Sequence, residues 1–281
     1  MRIPFTKMHG IGNDYVYVDA FKTKLDDPPE VARIVSPRHT AIGSDGLILI
    51  APSEVGDCRM EMYNADGSRA EMCGNGIRCV AKYAYDHGIA QRDTLRIETD
   101  AGVKEVGVKV RDGKVWEVTV DMGPPNLDPK SLPMTSPGEL IDSPVDIDGE
   151  TVSITGVSMG NPHCVLFVDS TAQAPVTTLG PRIEQHELFP RGVNVEFAEV
   201  LETPPSDRLR MRVWERGSGE TIACGTGACA VAVAACLTER GRREVEVELL
   251  GGNLHIQWSE SSGRVFMTGP ASEVFSGEIE V

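Results

Sequence analysis

The chain has 281 residues, 41% of them hydrophobic, enough to bury the cores of two ordinary domains. A net charge of −15 and an isoelectric point near 4.8 argue against nucleic acid and anionic membranes as partners. The longest apolar run, residues 228–237, is too short for a bilayer, and no basic-then-apolar leader precedes Phe5-Thr6-Lys7-Met8. The seven cysteines follow neither a zinc nor a disulfide framework, so the expected location is a reducing cytoplasm.

In chain order, Met8-His9-Gly10-Ile11-Gly12-Asn13-Asp14 leads into a β-branched and aromatic strand at residues 15–19. A short helix is expected over 28–35, with Pro at its start and Pro37 just beyond its end. Gly43-Ser44-Asp45-Gly46 then turns into a strand at 47–50, and a further strand at 59–63 ends at Asn64-Ala65-Asp66-Gly67-Ser68. Next come Met72-Cys73-Gly74-Asn75-Gly76-Ile77-Arg78-Cys79, a helix closing near Gly88, and three strands between 94 and 122. Residues 123–148, rich in Pro, Asp and Ser, read as a linker holding an extended strand or two.

After that linker the order repeats. Gly160-Asn161-Pro162-His163-Cys164 and the strand 165–169 mirror Gly12-Asn13 and 15–19. Gly192-Val193-Asn194 with the strand 195–200, then the strand 209–214, take the slots of 44–50 and 59–63. Cys73 recurs as Cys224, 151 positions on; Asp19 recurs as Asp169 and Gly102 as Gly252, each 150 positions on. Offsets this even predict two structural repeats of one unit. The second helix, apolar on every side, must be enclosed, so the expected fold is α+β: in each of two pseudosymmetric domains, a barrel-like sheet wraps a central helix. The expected domains are 1–122 plus 271–281, carrying Cys73, and 123–270, carrying Cys224, with one site in the cleft between them.

In both cysteine loops Cys-Gly-polar-Gly opens a helix. A helix N-terminus favours thiolate there, and its N–H groups, at Gly74-Asn75 and Gly225-Thr226, suit a carboxylate. Two thiols facing one carbon suit inversion: one removes the α-hydrogen and the other delivers a proton to the opposite face. No lysine motif for pyridoxal phosphate and no dinucleotide or Walker glycine pattern is evident, so cofactor-free and metal-free chemistry is the default. Cys79, Cys164, Cys229 and Cys236 read as core residues. Asn64 to Ser68 fits a tight turn as well as a site, and Glu215-Arg216 fits a solvated pair as well as a ligand. His163 is either structural or a modulator of a nearby thiol.

These motifs, with Glu215-Arg216-Gly217-x-Gly219-Glu220-Thr221 before Cys224-Gly225-Thr226-Gly227, resemble the diaminopimelate epimerase family over nearly the whole chain. The resemblance implies two pseudosymmetric barrels with a last strand returning to the first domain. It also implies cofactor-free interconversion of LL- and meso-2,6-diaminopimelate, toward lysine and peptidoglycan. By the same resemblance, Cys73 and Cys224 exchange base and acid roles, and Gly74, Asn75, Gly225 and Thr226 hold the reacting carboxylate. Asn13, Asn64, Asn161, Asn194, Glu215 and Arg216 bind the substrate's polar groups, His163 and Glu215 adjust the thiol pKa, and Phe275 stands at a homodimer contact. Some members place a glutamine where this chain has Gly46, so that side-chain contact is missing here. A proline or hydroxyproline racemase is the rival of the same fold, though the polar cluster looks built for a distal amino-acid group. The phenazine-type isomerases lack the cysteine pair, and a non-catalytic repeat scaffold is the alternative of a different class.

Overall fold

The computed structural model describes all 281 residues, in two compact units: residues 1–121 with 268–281, and residues 122–267. No helix is long and apolar enough to cross a membrane.

In the first unit, β1 (Arg2–Gly10) and β2 (Asn13–Asp19) form a hairpin across Ile11 and Gly12. Both turn residues are left-handed, φ 49° and 89°, the backbone that a two-residue turn needs to match strand twist. The chain crosses through α1 (Pro28–Val35), capped by the Asp27 carboxylate on the Glu30 N–H at 3.1 Å, to β3 (Gly46–Ala51), parallel to β2. Strand β4 (Cys58–Asn64) is antiparallel to β3 and pairs with the short β5 (Arg69–Ala70). Then α2 (Gly74–Asp86) crosses to β6 (Thr94–Thr99), parallel to β4, followed by the meander β7 (Gly102–Arg111) and β8 (Lys114–Gly123).

The second unit runs through the same sequence of pairings. Strands β9 (Ser143–Ile147), β10 (Glu150–Ser158) and β11 (Pro162–Phe167) are antiparallel neighbours; α3 (Val176–Glu184) then crosses to β12 (Asn194–Val200), parallel to β11. Strand β13 (Ser206–Glu215) is antiparallel to β12 and carries the short β14 (Gly219–Thr221). Then α4 (Gly225–Leu237) crosses to β15 (Gly241–Leu249), parallel to β13 and hairpinned to β16 (Gly252–Trp258). After β17 (Val265–Gly269) the chain returns to the first unit, where β18 (Ser272–Glu280) pairs antiparallel with β1, from Arg2 opposite Glu280 to His9 opposite Ser272.

The expected sheet around a central helix is present in each unit. Helix α4 touches β10, β11, β12, β13, β15 and β16, and residues 228–235 are all buried. Helix α2 touches β1, β2, β3, β4, β6 and β7 in the same manner. Two elements differ from the sequence reading. Residues 123–148 are more than a linker, because Leu132 and Met134 are buried against Ile147, Ile154 and Leu166 of the second core. Helix α3 is absent from the pattern, since Val176, Thr177, Thr178, Gly180 and Pro181 are weak helix formers; the burial of Val176, Leu179 and Ile183 holds it. Gly180 is required there, because a Cβ would lie 2.7 Å from the Trp214 side chain.

Candidate active site

Each cysteine of the repeated motif is the N-cap of a thirteen-residue helix, with extended backbone: Cys73 at φ −133°, ψ 122° and Cys224 at φ −123°, ψ 105°. None of the seven cysteines is in a disulfide. The glycines that follow allow close approach at each helix start. A Cβ on Gly76 would meet the Ile48 methyl at 2.8 Å, and one on Gly227 would meet a Glu196 oxygen at 2.8 Å.

In the first unit, the Cys73 thiol accepts the Gly76 N–H at 3.4 Å and donates to Asn13 Oδ1, also at 3.4 Å. The other end of that amide, Asn13 Nδ2, donates to Asp45 Oδ2 at 2.6 Å, and Arg38 bridges Asp45 and Asp14 at 2.7 Å each. Asp45 therefore sets which end of Asn13 meets the thiol, a role its place in Gly43-Ser44-Asp45-Gly46 did not reveal. Burial pushes the Asp14 carboxyl up, but hydrogen bonds from Arg38 and Lys7 outweigh it and hold the group below its ordinary value. The Tyr15 phenol, pushed far up by burial and then by Cys73, stays neutral beside the sulfur.

Gly74 and Asn75 form the first turn of α2, where N–H groups point out of the helix. Wholly buried Arg78 anchors that turn, donating to Gly74 O at 3.1 Å and to Pro270 O at 3.2 Å. Asn64 ends β4 and donates to Ser68 Oγ at 3.0 Å, so the expected turn is real and the side chain sits within it. Opposite Asn64 in the β3–β4 register is Gly46. A Cβ there would overlap the Tyr63 carbonyl oxygen, so this backbone admits no side chain at all, glutamine included. We expect Gly46→Ala to lose about 1–3 kcal/mol, read as a lower urea midpoint with unchanged slope. Phe275 on β18 is exposed and edge-on to Phe5, with ring centroids 5.9 Å apart.

In the second unit the thiol lies among charged groups. Cys224 Sγ is 3.6 Å from Thr226 Oγ1, and Asn161 Nδ2 donates to that hydroxyl at 3.3 Å. Asn161 Oδ1 meets His163 Nε2 at 3.0 Å, and His163 Nδ1 meets Glu196 Oε1 at 2.7 Å, with both side chains of that pair wholly buried. Thr221 donates its hydroxyl to Glu215, whose carboxyl is raised by burial and by Glu196 against the opposing pull of Thr221 and His163. Asn194 donates to Pro162 O at 3.1 Å and accepts the Arg216 N–H at 2.9 Å, tying the strand pair to the Glu215-Arg216 corner.

The expectation that a helix N-terminus alone would favour thiolate fails at Cys224. Burial first, then the charges of Glu215 and Glu196, push this thiol well above its ordinary value; the Thr226 hydroxyl and the Gly227 N–H only partly offset them. In this setting the protonated thiol is the favoured form. Glu196 was missed in the sequence, although a carboxylate between Val195 and Phe197 in an otherwise apolar strand signals a buried partner.

Over most of its length the chain matches a known enzyme family. A family model described as diaminopimelate epimerase matches residues 5–127 and 155–274. The diaminopimelate epimerase of Desulfovibrio desulfuricans is 55% identical, covering 98% of this chain and 97% of that protein. Those of Acetivibrio thermocellus and Leptospira biflexa are 52% and 51% identical, over 99% and 100% of this chain and 98% and 100% of theirs. Among solved structures, a Bacillus anthracis phenazine biosynthesis protein of the PhzF family superposes with a TM-score of 0.71 at 16% identity, covering all of both chains. A probable proline racemase from Agrobacterium radiobacter superposes with a TM-score of 0.69 at 16% identity, over 99% of this chain and 92% of that one. These two share the fold, whereas identity above one half across the full length identifies the narrower group: the chain belongs to the diaminopimelate epimerase family.

Proposed function

We propose that this chain interconverts LL- and meso-2,6-diaminopimelate by a two-base mechanism in which Cys73 and Cys224 address opposite faces of one α-carbon. The observation that carries this reading is the pair of cysteine N-caps on enclosed helices, each opening Cys-Gly-polar-Gly. In one direction the Cys73 thiolate takes the α-proton, leaving the electron pair on carbon, and the Cys224 S–H protonates the other face. Cys73 is then a thiol and Cys224 a thiolate; the reverse reaction starts from that state. The raised Cys224 thiol supports its role as the donor at the start.

The first-turn N–H groups of Gly74, Asn75, Gly225 and Thr226 take the α-carboxylate, where helix N-termini stabilise the charge that develops as the proton leaves. Asn13, Asn64, Asn161, Asn194, Glu215 and Arg216 serve the amino groups and the distal carboxylate, and His163 with Glu215 adjusts the Cys224 thiol. The same reading makes the chain a cytoplasmic homodimer, with Phe275 at its contact, supplying lysine and peptidoglycan precursors.

In deuterated water with LL-diaminopimelate, we expect deuterium at an α-carbon and appearance of the meso isomer, followed by NMR and chiral chromatography. Proline offered alone should not exchange. Exchange of proline without exchange of diaminopimelate would assign the chain to the racemase reading and keep only the two-thiol logic.

A further inference from the structure

We propose that Arg78 is a positioning residue for the start of α2. Its guanidinium holds and polarises the peptide between Gly74 and Asn75, which aims the Asn75 N–H out of the helix and strengthens it as a donor to a carboxylate. The inference rests on the reading that first-turn N–H groups of α2 take the substrate carboxylate. It extends that reading to a buried side chain behind them.

Arg78 stands four positions after Gly74, on the same helix face, and long helical side chains lean back toward the N-terminus. Gly74 has no side chain in the way, and Arg78 Nη1 donates to its carbonyl oxygen at 3.1 Å. Helix geometry also brings the Arg78 backbone N–H to that oxygen, so both of its lone pairs are engaged. In a trans peptide the carbonyl of one residue and the N–H of the next point in opposite directions. Gly74 O held inward therefore sets the Asn75 N–H outward, at the positive end of the helix. A cationic donor on the oxygen draws electron density from the amide and makes that N–H the better donor. Arg78 Nε reaches Pro270 O at 3.2 Å, just before β18, so the guanidinium is fixed from behind.

Gly10, the last residue of β1, makes room for this group. A Cβ on Gly10 would lie 2.8 Å from Arg78 Nη2 and 2.9 Å from Asn75 O, and its backbone is not left-handed, so the glycine serves space alone. The second unit shows that the fold requires neither residue. Five positions after Cys224 stands Cys229, and two before Gly160 stands Ser158, where the first unit has Arg78 and Gly10; both are buried. Helix α4 opens from its cysteine N-cap with no cation in it. A wholly buried guanidinium costs desolvation that Cys229 avoids, which points to its charge and not its bulk as the useful property.

Steady-state kinetics with LL-diaminopimelate on the full-length protein tests this. Arg78→Met, similar in length and uncharged, should lower kcat/KM about 10- to 100-fold, the worth of one charge-assisted hydrogen bond. KM should rise and kcat fall together, because the carboxylate is held in the ground state and more tightly in the transition state. A variant that merely loses folded enzyme would lower kcat and leave KM unchanged. The 15N–1H resonance of Asn75 should move when the wild type is titrated with diaminopimelate and should move less in Arg78→Met. An unchanged kcat/KM, an unchanged KM or an undiminished Asn75 response in that variant overturns the proposal.

Gly10→Ser combined with Arg78→Cys installs the pair that the second unit uses. By calorimetry it should melt closer to the wild type than Arg78→Cys alone, yet turn over no faster; recovery of kcat/KM along with stability would make Arg78 a packing residue and overturn its role. Should Arg78→Met not fold, Arg78→Lys decides the matter. It keeps one charged donor without the fork, so its kcat/KM should exceed that of the Gly10→Ser, Arg78→Cys pair, and a value no higher overturns the proposal. A wild type that leaves diaminopimelate unchanged fails the underlying reading, whereas a wild type that turns it over beside an unaffected Arg78→Met loses only the role of Arg78.

Discussion

Cys73→Ala and Cys224→Ala should each abolish epimerisation while keeping one half of the chemistry. General acid–base catalysis by a placed group contributes about 10²- to 10⁴-fold, so turnover should fall by at least that much in either variant. The two losses should not multiply in the double variant, because removing one thiol already interrupts the two-step proton path. What survives is informative. A chain retaining only Cys73 can still remove an α-proton from the isomer that presents it and return a solvent-exchanged one to the same face. That variant should place deuterium at the α-carbon of one isomer with retention, and the chain retaining only Cys224 should do so for the other. NMR of recovered diaminopimelate, with circular dichroism to establish folding, measures both outcomes. Epimerisation at undiminished rate by either variant would remove the two-thiol mechanism altogether.

Much of this site is written in local sequence, because the features that build it are local. A cysteine before Gly-polar-Gly and an apolar run can only cap a helix, and Asp27-Pro28 starts α1 with a side-chain acceptor and a fixed φ. The repeat was legible for the same reason: the order of strands and glycine turns is preserved over 150 positions. Contacts made across strands were not legible. Asp45 reads as a turn residue, yet its carboxylate orients Asn13, 32 positions away. Glu196 and His163, 33 positions apart, meet only because β11 and β12 lie side by side. The electrostatics of Cys224 were hidden with them: a helix terminus predicts a lowered thiol pKa, while burial and two carboxylates reverse the sign. Helix α3 was illegible because its propensity is poor and its support is tertiary.

That last element sets the largest stability effect we expect, at Phe197. The strand β12 is buried on both sides: Glu196 meets α4, and the next residue, Phe197, lies in the cluster with Leu179 and Ile183 of α3 and with Val193 and Val195. Phe197 is wholly buried, and α3 has no side-chain cap and an internal proline, so packing on this layer is its main support. Phe197→Ala should therefore cost about 3–5 kcal/mol, the lost burial plus the cavity that close-packed neighbours cannot fill. For a cooperative unit of this size the melting temperature should fall on the order of 10 °C. Phe197→Leu, which keeps most of the volume, should lose less, and neither should shift the pH midpoint for alkylation of Cys224 at low temperature, because the side chain points away from the helix that carries the thiol. Calorimetry at matched protein concentration measures the first effect. A melting temperature unchanged in Phe197→Ala would mean that α3 is held by contacts other than this layer, and the outer packing of the second unit would have to be assigned to Trp214 and its 2.7 Å hydrogen bond to Glu184 instead.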